Sequence, residues 1–290
     1  MLFITGITGL TGRFLLEELR LAGYQGYIRC LVRPASDVSW IQDDRVELYE
    51  GNVNDYASII PALDSVSAVI HLVNIRSSPQ IIRACQDSDV KRVVFINTTG
   101  IFSKYQQYSE EYKKLESAIE FCDLDYTIIR PTMIYGNQRD KNIHKLVRFV
   151  DRFPVIPVIG QGYGLMQPIY ARDLAEVIAK ACLCDKSICK AYNVAGKEPV
   201  RFSEILRTIA VYLGKKRLFI NIPYSFALLA ARVGEYIPNG MIDIEKVLRL
   251  QEDKVFSYEE AACDLGFSPL SFEEGVQLEI TALREANIIS

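Results

Sequence analysis

Apolar and polar positions divide the first half of the chain into short hydrophobic runs separated by segments of helical length. The runs at 2–5, 28–32, 46–49, 68–73, 93–97 and 126–130 have the length and content of buried strands. Leu15, Leu19 and Ala22 stand at i, i+4 and i+7, on one face of a helix between the first two runs. Ile59, Ile60 and Leu63 mark a helical segment before the fourth run, and Ile81, Ile82 and Cys85 mark another after it. Strand and helix in regular alternation predict an α/β protein with a parallel sheet and helices on both of its faces.

After Arg130-Pro131 the rhythm loosens, with Pro154, Pro157, Gly160, Gly162 and Gly164 in a loop-rich stretch before Pro168. A helix at 173–183, a strand at 191–194 and helices at 202–213, 226–233 and 242–250 are expected beyond it. The main unit should therefore cover 1–160, with 168–195 returning to it. Residues 161–290 should form a smaller mixed lobe interleaved with it. No repeat, low-complexity tract or charged linker separates the halves, so one shared core is expected.

With 290 residues, 49% hydrophobic and 24% charged, the composition is that of an ordinary globular protein with a large core. The 33 basic and 36 acidic residues leave a net charge of -3, so no general positive field draws the chain to nucleic acid. Phosphate binding must be local. Seven scattered cysteines read as reduced thiols. Cys182, Cys184 and Cys189 lack a fourth ligand when only His71 and His144 are present, so no metal is expected and they read as buried helix-end thiols. The apolar stretch 222–231 is about half of a membrane span, and the chain opens directly on a strand. A cytoplasmic protein without a membrane span is the expectation.

The segment Thr5-Gly6-Ile7-Thr8-Gly9-Leu10-Thr11-Gly12 falls between the first strand and the first helix. There a pyrophosphate can meet free amides at the positive end of the helix. Gly6 permits the tight exit from the strand, Gly9 lets the backbone approach phosphates, and Gly12 lets helix and sheet pack closely. The same segment resembles the Thr-Gly-x-x-Gly-x-x-Gly signature of the short-chain dehydrogenase/reductase superfamily. The likeness is to its extended and atypical branches, which include nucleotide-sugar epimerases, dehydratases and NmrA-like proteins. Further segments agree in order: Gly51-Asn52-Val53, His71-Leu72-Val73, Tyr126 through Pro131 with Tyr135-Gly136, and Gln167-Pro168-Ile169-Tyr170 with Asp173. Tyr192 through Gly196, Leu265-Gly266-Phe267 with Pro269, and Glu274-Gly275 continue the match. The resemblance spans almost the whole chain. It implies a Rossmann-type doubly wound sheet, a C-terminal lobe holding a small polar substrate such as a nucleotide-linked sugar, and a nicotinamide cofactor. That family commonly forms homodimers through two helices of each subunit, though nothing in the residues themselves marks one here.

Strand two ends in Arg33, where an acidic residue would accept hydrogen bonds from the adenosine ribose of NAD. A guanidinium pairs with a ribose phosphate instead, and Arg13 could add a second charge, which favours NADP over NAD. The competing reading makes both arginines solvated charges and lets Asp37 reach the ribose. The resemblance further implies that Asn52 and Val53 flank the adenine, that Val73 lines the cofactor's middle and that Pro131 and Thr132 approach the nicotinamide.

Hydride-transfer members of the resembled family use a Ser or Thr hydroxyl with a Tyr and a Lys four residues apart on one helical face. Here Thr98 and Thr99 follow strand five, the hydroxyl's expected place. Tyr108 is followed four positions later by Tyr112, and Tyr112 by Glu116. Lys113 lies five residues from Tyr108, about 140° round a helix. The candidate catalytic set is therefore Thr99 with Tyr108 or Tyr112, and Lys113 or Lys104 reaching in from another angle. Two other readings stay open: binding without turnover, as in NmrA-like regulators, and tyrosines that simply pack on neighbouring helices. His71 reads as a structural or cofactor-adjacent hydrogen-bonding group. His144, Arg139, Lys141, Lys145 and Arg148 form a basic group that either meets a substrate diphosphate or is a solvated helix face. No phosphate-loop Lys-Ser/Thr, Gly-x-Ser-x-Gly elbow or paired metal histidines occur, which disfavours kinases, hydrolases and metalloenzymes.

Overall fold

The computed structural model describes residues 1–234 and 244–289. The first six strands are β1 (Leu2–Thr5), β2 (Ile28–Val32), β3 (Val46–Glu50), β4 (Ala68–His71), β5 (Arg92–Ile96) and β6 (Asp125–Pro131). Later come β7 (Val155–Ile159), β8 (Lys190–Val194) and β9 (Leu218–Ile222). The helices are α1 (Leu10–Leu21), α2 (Ser78–Asp87), α3 (Ser109–Glu120), α4 (Ile143–Arg152) and α5 (Ala171–Leu183). They are followed by α6 (Phe202–Tyr212), α7 (Tyr224–Gly234), α8 (Ile244–Arg249), α9 (Glu259–Leu265) and α10 (Phe272–Glu285).

Seven strands form one parallel sheet in the order β8-β6-β5-β4-β1-β2-β3. The chain builds outward from β1 to β3, then returns to the other side of β1 with β4. The carboxyl ends of β1 and β4 thus flank the point where the winding reverses, the place where a doubly wound sheet opens a ligand crevice. Alternate side chains of β1 face opposite layers: Phe3 packs with Ile81 and Cys85 of α2 and Ile119 of α3, and Ile4 packs with Leu15 and Leu19 of α1 and Leu174 of α5. The smaller lobe has its own core, in which Ile143 and Val147 of α4 meet Ile156 and Val158 of β7, Ile205 of α6 and Val276 of α10. There β7 pairs with β9 in a separate parallel sheet.

The connection from β2 to β3 contains no helix, contrary to regular alternation. Pro34 breaks it early, and Asp37 folds the chain into turns by accepting from the Ser39 amide and hydroxyl. The segment marked by Ile59, Ile60 and Leu63 is one α-turn, Tyr56–Ile59, that tightens into a 3-10 turn, Ile60–Leu63, at Pro61. Cys182 is buried in α5 and Cys184 half-buried at its end, as expected. Cys189 corrects that reading, for it is exposed in a loop at φ 55°. The apolar stretch 222–231 begins on the last residue of β9 and continues into α7, which buries Ala227 and Ala231 but leaves Phe226 exposed. The helix expected at 242–250 is seen as α8, and positions 242 and 243 lie outside the described residues. Among the described residues no helix is long and apolar enough to cross a membrane.

Candidate functional site

The turn from β1 into α1 carries no side-chain cap. Gly9 is the N-cap residue, its amide donates to the Gly6 carbonyl (3.0 Å), and α1 has no acidic residue in its first turn. The amides of Leu10, Thr11 and Gly12 therefore begin the helix without a side-chain acceptor from the cap, which is the electrostatics that suits a diphosphate. Gly6 has φ +82°, and a Cβ there would sit 3.1 Å from Leu72 and Val73. A Cβ on Gly12 would run into the backbone of Ile7. Both glycines are required by close approach, and Val73 lines the same turn. These residues fit a dinucleotide's pyrophosphate. Thr8 stands half-buried at the crest of the loop.

On the adenosine side, Arg13 extends from the first turn of α1 over the Trp40 ring (5.0 Å) and donates to Asp37 (2.8 Å). Asp37 also approaches Arg139 at 3.6 Å. The Ser39 hydrogen bond, then that from Arg13, holds the Asp37 carboxyl below its usual range, so it remains charged. Arg33 stands exposed just beyond β2, and although its carbonyl accepts from the Ser36 amide (2.9 Å), its guanidinium makes no hydrogen bond or ion pair among the described residues. The two arginines thus differ: Arg13 is engaged by Asp37, and Arg33 is available. Asn52 is exposed beyond β3 and Val53 is half-buried, in a loop tied to the β4 side by the Ser77 hydroxyl, which donates to Asn54 (2.8 Å).

At the end of β4, His71 is fully buried and shares a 2.8 Å hydrogen bond with the Thr5 hydroxyl of β1. Burial lowers its pKa to about 4, so it is neutral and joins the two strands that flank the crevice. The adjacent segment carries two residues that were not anticipated. Asn74 donates its amide to the Tyr112 hydroxyl (2.8 Å). Arg76 lies over the Tyr108 ring at 4.5 Å and the Tyr112 ring at 5.3 Å, and it is held by both oxygens of Glu111 at 2.7 Å. The tyrosine rings stack 6.2 Å apart. Tyr108 is the exposed member and Tyr112 the buried one.

Lys113 is not brought to this cluster; it pairs with Glu110 at 2.8 Å on the outer surface of α3. Lys104 is likewise exposed. In neither register is the residue four beyond a tyrosine a cation. Four beyond Tyr108 is Tyr112 itself. Four beyond Tyr112 is Glu116, buried and held by Arg130 (2.6 Å) with a further hydrogen bond from Asn97. Thr99 is buried and donates to the Pro131 carbonyl (3.3 Å), and the Thr98 oxygen accepts from the Gly100 amide. Thr132 bonds the Gln167 carbonyl, which ties the end of β6 to the smaller lobe. The basic group around His144 divides: His144 is buried and turns toward Asp140 (3.3 Å), and Lys145 and Arg148 stand exposed on α4. The sequence held partial signals for Glu116, from its spacing, and for Arg76, from its place after β4.

A parallel sheet that reverses its winding beside a bare glycine turn defines a dinucleotide-binding protein of the Rossmann class. Residues 6–155, just over half of the chain, match the family described as NAD(P)H-binding, and the chain belongs to that family. It is 25% identical over 230 residues to NADH dehydrogenase [ubiquinone] 1 alpha subcomplex subunit 9, mitochondrial, of Dictyostelium discoideum, a match covering 71% of this chain and 62% of that one. Short-chain dehydrogenase/reductase family 42E member 1 of Danio rerio is 21% identical over 285 residues, covering 77% of this chain and 73% of the relative. The UDP-glucose 4-epimerase of Thermus thermophilus, solved with NAD, superposes with a TM-score of 0.73 at 18% identity, covering 98% of this chain and 99% of the epimerase. The Thermotoga maritima UDP-glucose 4-epimerase with UDP-glucose gives 0.75 at 16% identity, covering 99% of each. The chain therefore has the fold of the epimerase/dehydratase and short-chain dehydrogenase proteins.

Proposed function

We propose that this protein is an NADP(H)-preferring oxidoreductase or epimerase-like enzyme that moves a hydride to or from a carbonyl or hydroxyl carbon of a small polar substrate. A nucleotide-linked sugar, as held by one structural neighbour, is the substrate class favoured. The observation that carries the reading is the uncapped glycine turn flanked by an unengaged Arg33. Gly6, Thr8, Gly9, Leu10, Thr11 and Gly12 hold the pyrophosphate. Arg33 pairs with an adenosine phosphate, and Arg13, held on Trp40 and by Asp37, adds to the positive charge of the turn. Asn52 and Val53 border the adenine, Val73 the middle of the cofactor, and Pro131 and Thr132 the nicotinamide. When bound, the nicotinamide supplies or accepts the hydride.

Tyr108, exposed at the crevice, carries the proton of the substrate oxygen, and Thr99 steadies that oxygen once its bond to Pro131 is exchanged. Arg76 is the cation nearest the tyrosine rings and takes the electrostatic part that a helical lysine would otherwise play. In this reading residues 1–132 with 168–195 form the cofactor half, joined by α9, and 143–159, which share a core with α6 and α10, go with the substrate lobe and not with 1–160. The test is NADPH oxidation against a panel of carbonyl substrates. Tyr108→Phe should abolish turnover and leave cofactor binding intact, and undiminished turnover in that variant would remove Tyr108 from the chemistry.

A second reading rests on its own observation. Tyr112 and Glu116 stand where a lysine would be needed, and Glu116 is locked to Arg130. A cofactor-binding regulatory or assembly protein without turnover would have this arrangement, and one relative is named as a subunit of a larger complex. Binding of NADPH without oxidation by any substrate in the panel would favour it.

A further inference from the structure

Residues 252–256 cross between the lobes. On one side Glu252 accepts from the Ser103 hydroxyl (2.7 Å) and the Lys104 amide (2.8 Å), in the segment that follows Thr99. Phe256 packs its ring on Phe102 at 5.7 Å. On the other side Asp253 accepts from the Leu165 amide (2.9 Å), the Lys254 amide donates to the Leu165 carbonyl (2.8 Å), and the Phe256 amide donates to Gln167 (3.0 Å). Successive side chains of an extended segment alternate in direction. Glu252 and Phe256 reach the Rossmann half and Asp253 the smaller lobe, so Lys254 shares the direction of Glu252 and Phe256. The burial pattern agrees, with Glu252, Lys254 and Phe256 half-buried and Asp253 and Val255 exposed, so Lys254 lies on the side of the segment that meets Phe102 and Ser103, beyond β5.

The carboxylates near this cleft already have bonded partners, charged for Glu111 and Glu116 and neutral for Glu252, which acts on Lys254 only through its charge. Glu111 holds Arg76, Glu116 holds Arg130, and Glu252 is occupied by Ser103 and the Lys104 amide. Lys254 has no hydrogen bond or ion pair for its ammonium among the described residues. It is partly buried, and burial, with Arg249 adding to the effect, lowers its pKa to about 8 against the pull of Glu252. A desolvated ammonium without a bonded carboxylate is an incomplete pair.

We propose that Lys254 is the anion-anchoring residue of the interlobe cleft, binding a phosphate or carboxylate of the substrate. The inference rests on the proposed function only in taking that cleft as the substrate's place. It replaces Lys145 and Arg148, which stand exposed on α4, as the source of positive charge for an anionic substrate.

The test uses the wild-type protein and timed acetylation with acetic anhydride at pH 8, read lysine by lysine by mass spectrometry. Inorganic pyrophosphate and malonate serve as separate probes, with Lys113 as the internal reference. Slowing of Lys254 acetylation by about tenfold, with Lys113 unchanged, supports the inference; protection by pyrophosphate assigns a phosphate and protection by malonate a carboxylate. Unchanged acetylation with both probes overturns it. So does a Lys254 that never reacts, because a cleft open to these anions is open to the reagent. A parallel thermal titration with NADPH tests the cofactor reading by itself, so failure of one is separable from failure of the other.

Discussion

Glu279 of α10 is fully buried, and neither of its oxygens has a donor. It faces Asp140, which already accepts from the amides of Asn142 (2.6 Å) and His144 (3.2 Å). Two carboxylates in that position repel, but a proton on Glu279 turns the contact into donation to Asp140. Burial, and then the hydrogen bond to Asp140, raise the Glu279 pKa from 4.5 to about 11. The folded state therefore keeps a proton that the unfolded chain releases above pH 4.5. Its stabilising effect is complete below that pH and is lost progressively as pH rises toward 11. At 1.36 kcal/mol per pH unit, the cost at pH 8 is about 5 kcal/mol, and at pH 5 it is under about 1 kcal/mol. Glu279→Gln keeps the shape and a donor to Asp140 but cannot ionise. Urea unfolding at pH 5, 6.5 and 8 should give nearly equal stabilities at pH 5 and an increasingly more stable variant above it. Asp173, raised to about 6 chiefly by burial, contributes with the same sign in both proteins and cancels from the difference. Parallel stability curves for the two proteins would show that Glu279 is ionised when folded and would refute this reasoning.

Other consequences are equally specific. Glu116→Ala should cost about 3 kcal/mol by leaving Arg130, in a largely buried site, with only the more distant and more exposed Glu120 (4.0 Å) among the described residues, and Glu116→Ala with Arg130→Met should recover much of that loss in chemical denaturation. The His71 pKa of about 4 against 6.5 unfolded means that stability falls by about 3 kcal/mol as pH drops from 6.5 to 4, a slope that His71→Leu should remove. Gly6→Ala, at φ +82° and against Leu72 and Val73, should cost about 1–2 kcal/mol and weaken NADPH binding, as calorimetry on the folded variant would report.

The sheet was legible because its strands are nearly continuous apolar runs, and the glycine turn because each glycine answers a local steric demand. Strand ends moved by a residue or two, as at β4, which stops at His71. The helix count was less secure: Pro34 and Pro61 outweighed the length of their segments. The cofactor turn could be read from spacing, since it is contiguous in the chain. The tyrosine cluster could not, because Asn74 and Arg76 reach it from the end of β4, more than 30 positions from Tyr108 and Tyr112 in sequence. Lys113 and the basic group near His144 were suggested by proximity in the chain, and the helical turn carries Lys113, Lys145 and Arg148 to the surface. Lys254 was invisible for the opposite reason: only the crossing of 252–256 between the lobes places it near β5.

The most direct test of the account is calorimetric titration of nucleotide-free protein with NADPH and, separately, with NADH. The uncapped glycine turn and the unengaged Arg33 predict one site that takes both and binds NADPH at least about tenfold more tightly, a difference of about 1.4 kcal/mol. Preference for NADH would contradict the role given to Arg33, and binding of neither would contradict the cofactor site itself.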